Sequence, residues 1–213
     1  MPLLALDAAL GTASAAVLAE EGIVALERDA SGGRLALLAA SVLRAAGLAA
    51  GDLAAVGASV GPGSFTGIRT GLALAAGIGL AAGIPVIGVS VGEALTALLP
   101  DPSPRVLWIA IDSRRGRVFL QRAGEATAFD LDGLPLPARP VLVAGDAAEV
   151  VVERLRREGA DAALAPLCTS DAAGVGLAAR ARLAGRLPPR AAHPLYIDAP
   201  AALFPTGLRP PPV

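Results

Sequence analysis

At 213 residues, 54% of them apolar and 17% charged, the chain can bury the core of one large domain or of two small halves. Its formal net charge of -1 does not suggest a basic protein that grips nucleic acid alone, since such binding neutralises several phosphates. All 18 basic residues are arginine, and Cys168 and His193 are single, so a Walker-type phosphate loop, Schiff-base chemistry, an internal disulfide and multi-His or multi-Cys metal sites are excluded by count.

In chain order, Leu3 to Leu6 reads as a short strand ending at Asp7, and Ala8 to Thr12 as a turn around Gly11. Ala13 to Leu18 and Ile23 to Glu27 follow as two more strands of a meander. Leu35 to Ala46 has apolar residues at helical spacing, with Gly47 where a C-terminal cap would sit. Asp52 to Val60 reads as a turn of helix and a strand. This delivers the chain into Gly61 to Val91, the central stretch, which opens on a Gly-Pro-Gly turn carrying Ser64 and Thr66, both residue types suited to an N-cap. Ile68 to Ala82 is then a helix of small and apolar residues, and Pro85 turns the chain into a buried strand containing Val86, Ile87 and Val89.

Thr70 to Gly92 carries no charge and is long enough to span a bilayer. Its Ala and Gly content, the division at Pro85 and the lack of aromatic or Arg-rich flanks favour a core helix and strand instead. Met1 to Leu6 runs straight into Asp7 with no charged leader, so the expected location is the cytoplasm and no membrane partner is expected.

Glu93 to Leu99 is a short helix ended by Pro100-Asp101-Pro102-Ser103-Pro104, the expected boundary between an N-terminal lobe, 1–102, and a C-terminal lobe with an irregular tail, 103–213. Val106 to Asp112 and Arg117 to Arg122 are strands joined by a Ser-Arg-Arg-Gly turn. Ala5-Leu6-Asp7 with Gly11 and Ala110-Ile111-Asp112 with Gly116 share one offset, a two-element hint of a repeat that coincidence would equally produce. Leu131 to Pro140 reads as a Pro-rich loop, Val141 to Ala144 and Ala160 to Ala165 as strands, Ala147 to Glu158 and Asp171 to Ala184 as helices. Tyr196 and Ile197 are the expected docking point of the tail. Mixed strands and helix crossovers make the expected class α/β with two related sheets.

The stretches LLALDAALGTASAAVL, GPGSFTGIRTGLALAAGIGLAAGIPVIGVS, WIAIDSRRGRVF and HPLYID resemble, in order and over most of the chain, the TsaB (YeaZ) family of bacterial tRNA threonylcarbamoyladenosine synthesis. The resemblance implies a two-lobed actin-like ATPase fold (ASKHA, ribonuclease H-like) with mixed sheets flanked by helices. It implies a non-catalytic scaffold that pairs with a metal-binding paralogue, TsaD, which transfers the threonylcarbamoyl group to tRNAs reading ANN codons. A small ATPase, TsaE, completes the set, and tRNA is met only through the complex. No cofactor of the chain's own is implied; ATP or ADP would sit at the subunit boundary. With the partner absent a homodimer is expected.

The pairing surface implied by the resemblance joins the central helix to the one before it, giving Arg34, Leu38, Val42, Gly67, Thr70, Gly71, Ala75 and Gly79 as candidates. Packing on the chain's own sheet would use part of the same small-residue face. Ser31-Gly32-Gly33-Arg34 stands where the family often has a histidine, which removes one polar contact from that surface. Asp7, Gly63, Ser64, Thr66 and Arg69 form a candidate anion or nucleotide contact, although a plain tight turn is the favoured reading of the glycines, because a phosphate cradle usually adds a cation-binding acidic partner. Asp7 resembles the first-strand aspartate of actin-like ATPases, but Gly11 lies farther along than in their compact turn, so a cap of the turn is favoured. Arg114, Arg115 and Arg117 form a basic hairpin tip open to tRNA phosphates or simply to solvent. A free-standing actin-like ATPase or peptidase-like enzyme, and a homodimeric binding module, are the alternative readings.

Overall fold

The computed structural model describes residues 1–31, 33–101 and 104–197. The expected lobe boundary, at 102 and 103, therefore lies outside the described residues, as does the tail from 198 onward.

The first sheet is built from β1 (Leu3–Asp7), β2 (Ala13–Ala19), β3 (Gly22–Asp29), β4 (Ala55–Gly61) and β5 (Val86–Ser90), in the order β3-β2-β1-β4-β5. Strands β1, β2 and β3 pair antiparallel, while β1–β4 and β4–β5 are parallel. The second sheet, from β6 (Val106–Asp112), β7 (Arg117–Gln121), β8 (Thr127–Asp130), β9 (Val141–Ala144) and β10 (Ala162–Leu164), has the order β10-β9-β6-β7-β8. Its pairings repeat those of the first sheet, antiparallel through β6, β7 and β8 and parallel through β6, β9 and β10. The repeat hinted at by Asp7 and Asp112 is thus a repeat of the whole sheet, each aspartate ending the central strand of its half.

Every residue of β1 is buried, as a central strand covered on both faces requires. Helices α1 (Leu35–Ala45) and α2 (Phe65–Ala82) lie against the first sheet and share one core with Leu4, Leu6, Val56 and Ala58. Helix α5 (Ala172–Leu183) covers Leu3, Ala5, Ala16 and Leu18, the alternate positions that face the other way. Although a chain-order division would place α5 in the C-terminal half, it packs on β1, β2 and α3 (Val91–Leu98) of the first. Helix α4 (Ala148–Arg157) covers the second sheet through Val151, Val152 and Leu155. The two halves meet where Ile109, Ile111 and Phe119 join the core containing Val91 and Leu95 of α3.

Strand β8 has no counterpart among the sequence expectations. Its four residues, Thr-Ala-Phe-Asp, are too short to display a period, and pairing with β7 imposes the extended conformation. The helix start at α2 is earlier than the periodicity suggested, because Ser64 caps it with an oxygen accepting from the Gly67 amide.

Candidate functional site

The candidate site is built around the end of β4. Here the chain turns through Gly61, Pro62 and Gly63 into α2, and the turn following β1 lies directly on it. The Ser64 amide donates to the Ala9 carbonyl at 2.7 Å. Gly63 has φ of 153°, a conformation open to glycine, and a Cβ there would overlap the same carbonyl. A Cβ on Gly67 would overlap the carbonyl oxygen of Ala8. The helix N-terminus is consequently closed by two carbonyl oxygens of the chain itself, which stand where an anion would have to approach.

Asp7 is buried beneath this turn. One carboxylate oxygen accepts from the Ala9 amide at 2.9 Å and the other from the Ser170 hydroxyl at 2.7 Å. Burial raises its pKa above the ordinary 3.8, against the lowering effect of those two hydrogen bonds. Asp7 thus ties β1 to the segment that brings the chain back from the second sheet to α5, where Asp171 caps the helix and pairs with Arg28. Of the expected anion contacts, Asp7, Gly63 and Ser64 are drawn into internal bonds or close packing, Thr66 is exposed, and Arg69 turns to Tyr196; the five do not converge on one point.

Because ionised Asp7 is disfavoured in the fold, its charge costs stability above its folded pKa, and the cost is relieved as pH falls through that value. An asparagine in its place would still accept from the Ala9 amide and could donate to Ser170. Asp7→Asn is therefore expected to melt at or above the wild-type temperature at about pH 7, with the two curves converging at low pH. Thermal melts across pH check this; a variant that loses stability at neutral pH would show that Asp7 is needed charged.

The second half has its own acidic turn. Asp146, after β9, accepts from the Asp112 amide at 2.8 Å and from Arg114 at 2.7 Å, while Arg114 also pairs with the Asp112 carboxylate at 3.1 Å. Arg114 is the only non-glycine residue at positive φ among the described residues. Burial, outweighing the Asp112 amide and the Arg114 charge, raises the Asp146 pKa. Arg114 is thereby engaged with the chain's own acids, and of the basic hairpin tip Arg115 is left exposed to solvent. Asp7 is thus buried with both carboxylate oxygens engaged, and Asp112 and Asp146 are both paired with the Arg114 guanidinium.

The expected pairing residues divide sharply. Leu38 and Val42 of α1 and Gly71, Ala75 and Gly79 of α2 are buried in the chain's own core. Gly79 lets α2 approach Val86 of β5 while Gly71 faces Leu35 of α1, so these residues do not line an outer surface. Gly67 is half-buried against Ala8, and Arg34 and Thr70 are exposed. The outward face of α2 consists instead of Phe65, Thr66, Arg69, Thr70, Ala73, Ala76, Gly77, Leu80 and Ala81. Phe65 is 55% and Leu80 88% exposed, and Leu37 on α1 is 61% exposed. By length and composition α2 could cross a membrane, but its Ile68–Leu72–Ala75–Gly79 side is embedded against the sheet.

Two sets of contacts were not legible from the sequence, the arginines around Glu93 and the hydrogen bonds of the tail. Glu93, in a capping box with Ser90, is held by Arg182 at 2.5 Å and Arg190 at 3.3 Å. The Ser90-x-x-Glu93 spacing signals the cap but not its arginines. The tail forms a strap: the Leu195 amide donates to Val60, the Gly88 amide donates to the Arg190 carbonyl, and the Tyr196 hydroxyl accepts from Arg69 at 2.8 Å. Tyr196 and Ile197 are a docking point as expected, with Ile197 packed on the first core. His193 is exposed. Cys168 is half-buried on the second core, and burial raises its thiol pKa.

A family model described as TsaD, tRNA N6-adenosine threonylcarbamoyltransferase, matches residues 28–133. The tRNA threonylcarbamoyladenosine biosynthesis protein TsaB of Escherichia coli (strain K12) is 39% identical over 88 residues, covering 40% of this chain and 38% of that protein. The tRNA N6-adenosine threonylcarbamoyltransferase of Cereibacter sphaeroides is 31% identical over 163 residues, covering 64% of this chain and 45% of that one. The chain thus spans less than half the length of these curated relatives. The solved structure of YeaZ from Pseudomonas aeruginosa superposes with a TM-score of 0.74 at 26% identity, covering 92% of this chain and 99% of that one. The two-lobed α/β fold expected from the sequence is the fold the chain adopts.

Proposed function

This chain belongs to the TsaB (YeaZ) family, and from that premise we propose that it is a non-catalytic scaffold subunit in the formation of threonylcarbamoyladenosine on tRNA. Its proposed partner is a TsaD-type transferase, with TsaE and tRNA met through the complex and the cytoplasm as the location. The observation that carries the reading is the internal commitment of both strand-end aspartates: Asp7 is buried against Ser170, and Asp112 and Asp146 are paired with Arg114. Neither turn offers an unpaired carboxylate to a metal-bound phosphate. Any ATP or ADP would then be held at the boundary with the partner, outside these closed turns.

The outward, nearly uncharged face of α2 is the proposed pairing surface. It replaces the buried small-residue face as the candidate, since a partner can reach it without opening the core. Homodimer formation through the same face is the expected state when the transferase is absent.

Mixing the purified chain with its cognate TsaD paralogue is expected to give a stable heterodimer on a sizing column. No association under any nucleotide condition would overturn the proposal. ATP or peptide turnover by the isolated chain, lost in Asp7→Asn, would favour the free-standing enzyme instead.

A further inference from the structure

We infer that Arg69, held between Phe65 and Tyr196, is the polar anchor of the α2 face and that the protein partner presents a carboxylate to it. The inference rests on the pairing proposed above and names the chemistry of that surface.

Arg69 is the only charged residue of α2. Its guanidinium carbon lies 3.6 Å from the centroid of the Phe65 ring and 5.9 Å from that of Tyr196. Its Nη2 and Nε donate to the Tyr196 hydroxyl at 2.8 and 3.3 Å. No carboxylate among the described residues pairs with it, whereas Arg28, Arg105, Arg114, Arg154, Arg157 and Arg182 each have one. A guanidinium has five donor hydrogens in a rigid fork, so several remain after Tyr196 is served.

Stacking fixes the fork before a partner arrives, which lowers the ordering cost of binding. Arginine with exposed aromatic neighbours is also the composition of interface hot spots. Tyr196 is 49% exposed, and the apolar positions Ala73, Ala76 and Leu80 run from this platform along the helix. A partner covering them would strip water from around Arg69, so its guanidinium needs a matching anion. A nucleic-acid phosphate backbone would call for several neighbouring cations, and this face supplies one. A carboxylate set in an apolar protein surface fits that arrangement.

The test is calorimetric titration of the full chain with the TsaD paralogue, at low and high salt. Arg69→Glu is expected to weaken pairing by about 30-fold or more, and Arg69→Met by about tenfold with loss of the salt dependence seen in the wild type. Arg69→Lys is expected to recover only part of the affinity, because an ammonium lacks the fork. Tyr196→Phe keeps the ring and removes the hydroxyl, so a several-fold loss is expected. Unchanged affinity in Arg69→Glu, with wild-type pairing intact, would overturn the inference while leaving the pairing proposal standing. So would an effect confined to tRNA binding or to self-association. Failure of the wild type to pair would overturn both.

Discussion

Arg182→Met is expected to destabilise the protein by about 3–5 kcal/mol, the usual cost of removing one partner from a buried ion pair. Arg182 is almost fully buried, its side chain 5% exposed, and it bonds to Glu93, the Gly88 carbonyl and the Pro188 carbonyl. It therefore fastens α5 to α3, to β5 and to the start of the tail strap. Methionine would preserve much of the volume but leave the Glu93 carboxylate with Arg190 and the Ser90 amide alone. Glu93→Gln in the same background is expected to restore part of the loss, since the under-compensated buried charge is gone. Denaturant unfolding of the single and double variants measures the coupling; additive losses would show that the pair is not a unit.

The pH dependence has a definite sign. Burial by itself would raise the Glu93 pKa, but the Ser90 amide together with Arg182 and Arg190 holds it below its ordinary 4.5. The pair's contribution is therefore present above pH 4.5 and is lost as pH falls through the folded value. In Arg182→Met this acid-side loss is expected to shrink.

Gly67→Ala is the second large effect, an expected loss of about 3 kcal/mol and a fall in melting temperature of roughly 6–12 °C. The added methyl would overlap the Ala8 carbonyl, a backbone atom that cannot swing aside as a side chain would. Relieving the overlap must lift the turn after β1 off the start of α2, disturbing the Ser64 amide bond to Ala9 and the seat of Asp7. Gly77→Ala, in the same helix, is the contrasting case. Nothing lies within 4 Å of a Cβ there, so replacing a helical glycine is expected to add about 0.5–1 kcal/mol. Equal effects at the two positions would show that helix propensity, not close approach, governs this helix.

These residues also mark how far the sequence could be read. The Gly-Pro-Gly turn, the α2 pattern and the stop at Gly83 and Pro85 are local signals, and the loop-helix-strand order follows from them. The period of Gly71, Ala75 and Gly79 placed those residues on one face. Periodicity finds a face without saying what covers it, and here the cover is the chain's own core, Leu35 of α1 over Gly71 and Val86 of β5 over Gly79. Arg69 was legible as a charge near a helix start, but Tyr196, distant in sequence, takes two of its donors.

By itself the sequence determined the α/β class, the strand-aspartate-turn in each half, the absence of lysine and the course of the central stretch, because hydrophobic period, turn chemistry and residue counts are local properties. Only the tertiary structure decided that α5 returns to the first sheet, that Asp7 is buried under Ser170 while Arg114 takes up Asp112 and Asp146, and that α2 turns Gly71, Ala75 and Gly79 inward and Phe65, Arg69 and Leu80 outward. Each of these depends on contacts between residues far apart in the chain, where burial and pairing energies outweigh any local preference.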